Sequence, residues 1–324
     1  MADEHTTAEV TPVTQLPDDS WCEGIVSRPN GQILAARLDL PGLYTFDPKD
    51  QSAEPKLLHT FPDAEGLTNL CTLSSKPGEE EYAVIAGRFD IKTVSIDSKS
   101  WVVWRVTLRG DDDPPVVTKI AELPDAGLVI DITAGAPQSP NALLLADSEK
   151  SSIWKLDTCT GEIAVFLADP ETMAKANPDE FFGINTLTRS DNHIWWTNTS
   201  KGLVCRVPVD DAGNAAGPVQ TVATELYNSD GLSASADGSV AYTAGYMSGQ
   251  IWKVNVDSDN KGTVTEIAQD LNSPSALFLD ERVDKTKLYV ACCGDKEVGW
   301  VDDDRLSNSA KQIEVSVSFE ISSD

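Results

Sequence analysis

The chain has 324 residues, and its 52 Asp and Glu against 25 Lys and Arg give a formal net charge of −27. A field of that sign repels phosphate backbones and anionic lipid, which argues against nucleic-acid and membrane-surface roles. The 40 % of hydrophobic residues is too high for a disordered acidic chain, and no apolar run reaches the roughly 20 residues of a membrane span.

The acidic start MADEHTTAEV lacks the character of a secretory signal, and residues 1–9 read as a disordered tail. The six cysteines include no CxxC pair and mostly sit in apolar runs, as buried thiols of a reducing, cytoplasmic protein would. Strand signals then recur along the chain. The first set is a strand opening at Glu23-Gly24-Ile25, a second at 32–37 (QILAAR) after the turn Pro29-Asn30-Gly31, and a third at Leu43-Tyr44-Thr45-Phe46-Asp47. The second set opens at Asn69-Leu70-Cys71, with Glu65-Gly66-Leu67 as a rival start, and continues through 81–88 (EYAVIAGR) to Val103-Trp104-Arg105-Val106. The third runs from Ile130-Asp131-Ile132 through 141–147 (NALLLAD) to Ile153-Trp154-Lys155-Leu156-Asp157. A short helix is expected over Asp169–Ala176, inside an inter-repeat insertion. The fourth set runs from Asn185-Thr186-Leu187 through 193–198 (HIWWTN) to Val204-Cys205-Arg206-Val207. The fifth runs from Asp230-Gly231-Leu232 through 239–245 (SVAYTAG) to Ile251-Trp252-Lys253-Val254. The sixth runs from Ser275-Ala276-Leu277 through 287–293 (KLYVACC) to Val298-Gly299-Trp300-Val301-Asp302. The strictly alternating run at 313–321, or the segment 10–16, is expected to close the ring.

Six units at intervals of roughly 45–60 residues have the length of four-stranded blades. The expected fold is all-β: a six-bladed β-propeller of four-stranded antiparallel blades, in one domain spanning 1–324. In such a ring the first residues of the innermost strands gather at one mouth of a central channel. Here these are Glu23, Asn69, Ile130, Asn185, Asp230 and Ser275. They are ligand candidates at a concave mouth, set against the plainer role of hydrogen-bonding to one another and to trapped water. Trp21, Phe181, Phe182, Tyr227, Tyr246 and Met247 fall around this mouth, and Arg37 and Arg88 end two second strands. A polar floor with aromatic walls suits an apolar ligand carrying a few oxygens. The recurring Trp104, Trp154, Trp252 and Trp300 read as blade packing instead. His5, His59 and His193 have no partners at metal spacing, and there is no Walker loop and no GxGxxG, so a histidine-rich zinc site and nucleotide chemistry have no support. Asn198-Thr199-Ser200 fits a glycosylation sequon, relevant only to a secreted chain.

At Glu23-Gly24, Asn185 and Asp230-Gly231 the chain resembles the calcium-dependent lactonase and phosphotriesterase propellers of the gluconolactonase, or senescence-marker, type. If a metal is present, the resemblance implies Glu23, Asn185 and Asp230 as its ligands. The fourth ligand position holds Ile130, which cannot coordinate a cation, and alternation turns Asp131 to the other face unless the strand slips by one residue. At most a weakly bound Ca²⁺ is expected, and no other cofactor. The first repeat, Glu23 to Gly31, Gln32 to Arg37 and Leu43 to Pro48, resembles a fungal secondary-metabolism branch of these propellers. That branch includes the hetero-Diels–Alderases of tropolone–sesquiterpenoid biosynthesis. It implies a pericyclase joining an apolar terpene to a tropolone-derived quinone methide, with Glu23, Asn69, Asn185, Asp230 and Arg88 as catalytic candidates. Trp21, Arg37, Asp131, Phe181, Phe182, Tyr227, Tyr246, Met247 and Ser275 are the substrate-binding candidates. Strictosidine-synthase-like propellers are a metal-free precedent using a lone Glu. A Ca²⁺-dependent hydrolase and a non-catalytic small-molecule binder are the competing readings. The expected partners are small apolar molecules.

Overall fold

The computed structural model describes residues 10–16, 20–50, 52–76, 78–90, 93, 95–111, 113–136, 139–282, 287–293 and 314–316. Its strands form six four-stranded antiparallel sheets and one two-stranded hairpin. Five sheets are complete blades, each from one stretch of chain. Blade 1 is Cys22–Ser27, Ile33–Arg37, Gly42–Phe46 and Lys56–Thr60. Blade 2 is Gly66–Lys76, Glu79–Gly87, Val102–Leu108 and Val116–Glu122. Blade 3 is Val129–Ala134, Ala142–Asp147, Ser152–Asp157 and Ile163–Ala168. Blade 4 is Ile184–Arg189, His193–Asn198, Leu203–Pro208 and Gln220–Ala223. Blade 5 is Ser229–Ala234, Val240–Gly245, Gln250–Val256 and Gly262–Ala268.

The expectation of six equivalent blades is corrected to these five. The remaining sheet is a composite of Pro274–Asp280 and Lys287–Cys292 with both chain ends, Glu314–Ser316 and Pro12–Gln15. The sixth copy of the third-strand repeat, Val298 to Asp302, lies outside the described residues. Both ends therefore contribute to closure, and the first strand of each sheet packs on that of the next all the way round. The expected helix shrinks to one turn, Pro170–Met173, where the Asp169 side chain accepts the Glu171 N–H at 3.1 Å. No helix among the described residues is long and apolar enough to cross a membrane.

Burial falls off from the axis outward. Cys22–Ser27 is buried along its length, whereas the outer strands Lys56–Thr60 and Ile163–Ala168 are largely exposed. Two bulges repeat around the ring. One breaks the pairing of third and fourth strands just before Tyr44, Trp104, Trp154, Cys205 and Trp252. The extra residue twists the edge strand and seats the four aromatics half-buried against the sheet, whereas Cys205 is fully buried. The other breaks the start of every innermost strand, at Cys22/Gly24, Leu67/Asn69, Val129/Asp131, Ile184/Leu187, Ser229/Leu232 and Pro274/Ala276. This second bulge decides which side chains reach the axis.

Candidate functional site

The axial bulges bring together some of the expected mouth residues and displace others. Glu23, Thr68, Ile130, Asn185, Asp230 and Ser275 occupy corresponding places. Blade 2 therefore presents Thr68 rather than Asn69. Thr68 Oγ1 donates to Val129 O at 2.9 Å, as Ser275 Oγ donates to Cys22 O at 2.7 Å, so both hydroxyls join neighbouring blades. Asn69 is turned back on the backbone: its Nδ2 donates to Glu23 O at 3.3 Å and its Oδ1 accepts from Leu70 N at 2.8 Å. Gly24 is required beside it, because a Cβ there would lie 2.3 Å from Asn69 Oδ1.

Ile130 packs into a core cluster with Ile184 and Leu187. Simple alternation fails for Asp131: the bulge between Val129 and Asp131 supplies the one-residue slip that brings it to the axial cavity. Its carboxylate accepts the N–H of Ile132 and, from the next blade, that of Leu187. Burial raises its pKa well above the usual range, against the pull of those two N–H groups.

Glu23, Asn185 and Asp230 converge as expected. They floor a cavity of about 100 Å³ walled by Trp21, Leu38, Phe181, Phe182, Tyr246 and Met247. Trp21 Nε1 donates to Glu23 Oε2 at 2.6 Å, and the Trp21 ring stacks on Tyr246 at 5.3 Å. Phe181 meets Phe182 edge-on at 4.5 Å. Asn185 Nδ2 donates to Thr199 Oγ1 at 2.9 Å and to Asp230 Oδ1 at 3.0 Å. No Lys, Arg or His is among the described lining residues. Burial raises the Glu23 pKa to about 8, only partly opposed by the Trp21 hydrogen bond. Burial, and then the charge of Glu23, push Asp230 up as well. Burial without a counter-cation favours the protonated carboxyl, so Glu23 can donate a hydrogen bond near neutral pH.

Three expected contributors lie elsewhere. Arg37 turns to Asp39, with Nε donating to Oδ1 at 3.1 Å, and lies 5.5 Å from the Tyr44 ring centroid. Arg88 is 45 % exposed and paired with Asp97. Tyr227 is 59 % exposed and outside the cavity wall, although Met247, at 52 %, forms part of it. A residue type at a strand end does not reveal which partner its side chain meets, so these two arginines were not separable from axial ones by pattern. Ser275 is buried in its inter-blade bond. Leu38, Glu180, Thr199, Ser200 and Asn228 line the cavity without having been expected. The nearest sequence signal was the sequon, and the fold closes that reading: Asn198 is fully buried, its Nδ2 bonded to Thr172 O and Ala174 O. All six cysteines are free, and Cys159 alone is exposed.

A Ca²⁺ ion takes six to eight oxygen ligands. Here the blade 3 position is the core residue Ile130, and Asn185 turns its amide nitrogen toward Asp230. Among the described residues no group of three or more His, Cys, Asp or Glu side chains could hold a metal ion. The residues present do not fit a closed calcium shell.

No family model matches the chain. It is 26 % identical over 308 residues, 85 % of its length, to a Phoma sp protein named "Putative hetero-Diels-Alderase", covering 84 % of that relative. A like-named protein of Sarocladium schorii is 24 % identical over 221 residues, which is 62 % of this chain but only 54 % of that relative's length. Among solved structures, the calcium-binding protein regucalcin of Agrobacterium tumefaciens superposes with a TM-score of 0.60 at 16 % identity, over 97 % of this chain and 95 % of that one. At that identity the match speaks for the propeller fold alone.

Proposed function

We propose that the chain is a pericyclase-type enzyme, and that its reaction is an intermolecular hetero-Diels–Alder cycloaddition. Its diene would be an oxygenated one of the tropolone-derived quinone methide kind, and its other partner an apolar terpene alkene. The observation that carries this reading is an aromatic cavity, free of cationic side chains, set directly on two buried, proton-retaining carboxyls. The names of the two relatives agree with it.

The cycloaddition forms one C–C and one C–O bond from four diene electrons and two alkene electrons. No atom is lost, and no nucleophile is needed. The protein's task is to hold two partners in one pose, where effective molarities reach about 10⁵–10⁸ M. The cavity of about 100 Å³ takes only the reacting ends. The rest of the apolar partner lies over the half-exposed Phe181 and Phe182 and the exposed Met247.

Both N–H groups of Asn185 are committed, to Thr199 and Asp230, so Asn185 acts as a positioning residue. The donor to the diene carbonyl is then the protonated Glu23, whose Oε2 is fixed by Trp21. That hydrogen bond lowers the acceptor orbital of the diene and stabilises the charge growing on its oxygen.

The test is to mix the purified protein with a quinone-methide precursor and a terpene alkene, with and without exhaustive chelation. Adduct formation above the buffer rate, unchanged by the chelator, is the expected result. Activity lost on chelation and restored by Ca²⁺ would instead support metal-assisted hydrolase chemistry of the kind the gluconolactonase resemblance implies.

A further inference from the structure

The other half of the axis holds a second, larger cavity of about 280 Å³. It begins at Glu23 and Asp131 and follows the innermost strands to their far ends. Arg189 stands at the last position of Ile184–Arg189, about 13 Å beyond Asn185 at a strand rise of roughly 3.3 Å per residue.

Arg189 is half-buried, and its bonding differs from that of the fully buried arginines. Arg28 is matched to Glu80 and Gln32, Arg37 to Asp39, and Arg206 to Gln220, Gly238 O and Asn260. Nη1 of Arg189 is buried with no hydrogen-bond partner, and its guanidinium forms no ion pair among the described residues. Asp191, two residues on, acts on it only at a distance, while burial disfavours its charge. Leaving such a donor unmatched is costly. In a chain of net charge −27 a carboxylate partner is the easiest thing to supply. Several hydroxyl residues lining the same cavity are uncommitted as well. Thr72, Thr133 and Thr188 line the same cavity, and no hydrogen bond joins their side chains to other described residues. Ser233 Oγ accepts from Leu279 N at 3.1 Å and keeps its own proton to donate.

We propose that this cavity is a binding site for a small oxyanion, a carboxylate or phosphate group seated on the Arg189 guanidinium and the hydroxyls of Thr72, Thr133, Thr188 and Ser233. A guanidinium offers a planar fork of donors that matches either group, and the hydroxyls supply further donors around it. The site is separate from the aromatic cavity and does not depend on the reaction assigned to it.

The experiment is calorimetric titration of the full chain with inorganic phosphate and, separately, with acetate, at constant ionic strength. Saturable binding of one equivalent is expected for at least one anion. Response to phosphate alone identifies a phosphate-bearing ligand, and response to acetate alone a carboxylate. Arg189→Gln should weaken binding at least tenfold, Arg189→Lys less, and Phe182→Ala in the other cavity not at all. If Arg189→Gln does not fold, Thr188→Val serves, with a severalfold loss expected. Absence of saturable binding to the wild type, or unchanged affinity in the Arg189 and Thr188 variants, would overturn the proposal.

Discussion

Replacing Glu23 with alanine is expected to slow the cycloaddition about 10²–10³-fold, the loss typical of removing one preorganised donor to a developing oxyanion. The protein should stay folded, since the change removes a buried carboxyl that is stacked into no apolar core cluster. Glu23→Gln should retain much of the rate, because its amide N–H can donate where the carboxyl O–H did. The two forms separate on pH. Burial raises the Glu23 pKa to about 8, so the wild-type rate should hold through neutrality and fall as pH rises through that value. The glutamine variant should show no such fall. Initial rates from pH 6 to 9 read this directly. An alkaline limb that survives in Glu23→Gln would assign the titration to another group, with Asp230 the first candidate.

The same carboxyl should contribute to the pH dependence of stability above pH 5, beside Asp131 and Asp230, which burial raises as well. In the unfolded chain Glu23 titrates near its ordinary value of 4.5, whereas in the fold it keeps its proton to about 8. Between those values the folded state holds the extra proton. Stability from this group is fully present below about 4.5 and is lost as pH rises through about 8. The total is on the order of a few kcal/mol at 1.36 kcal/mol per pKa unit. Denaturant melts at pH 5 and pH 8 should show the wild type weakening and Glu23→Gln weakening less, by the share that Glu23 contributes. Equal slopes in the two proteins would mean that Glu23 is ionised in the fold, and the neutral-donor mechanism would fail with it.

The ring itself was legible because its signals are local. The aromatic of the third strand recurs at one register, and in four blades it marks a bulge that the structure places just before it, with Cys205 at the same place in blade 4. Glu23, Asn185 and Asp230 were legible for a related reason: each is a polar residue opening an apolar strand. The direction of neighbouring side chains was not. Strict alternation sends Asp131 away from the axis and Asn69 onto it, and the bulges reverse the first and displace the second. Arg37 and Arg88 are decided by carboxylates at Asp39 and Asp97, whose position no periodicity encodes. Leu38, Asn228 and Thr199 enter the cavity from loops and strand ends, where conformation depends on the neighbouring blade. Arg189 carried no motif, and only its unmatched guanidinium sets it apart.

The proposed reaction requires the aromatic cavity to steer two partners into one adduct. The most direct measurement is the isomer distribution of the product. The purified protein and a buffer blank would each receive the same quinone-methide precursor and terpene alkene, and the adducts would be resolved by chiral chromatography. A single dominant stereoisomer in the presence of the protein, against a near-even mixture in buffer, is the predicted result. The same rate and isomer ratio as the blank, from a protein that readily opens a lactone, would contradict it.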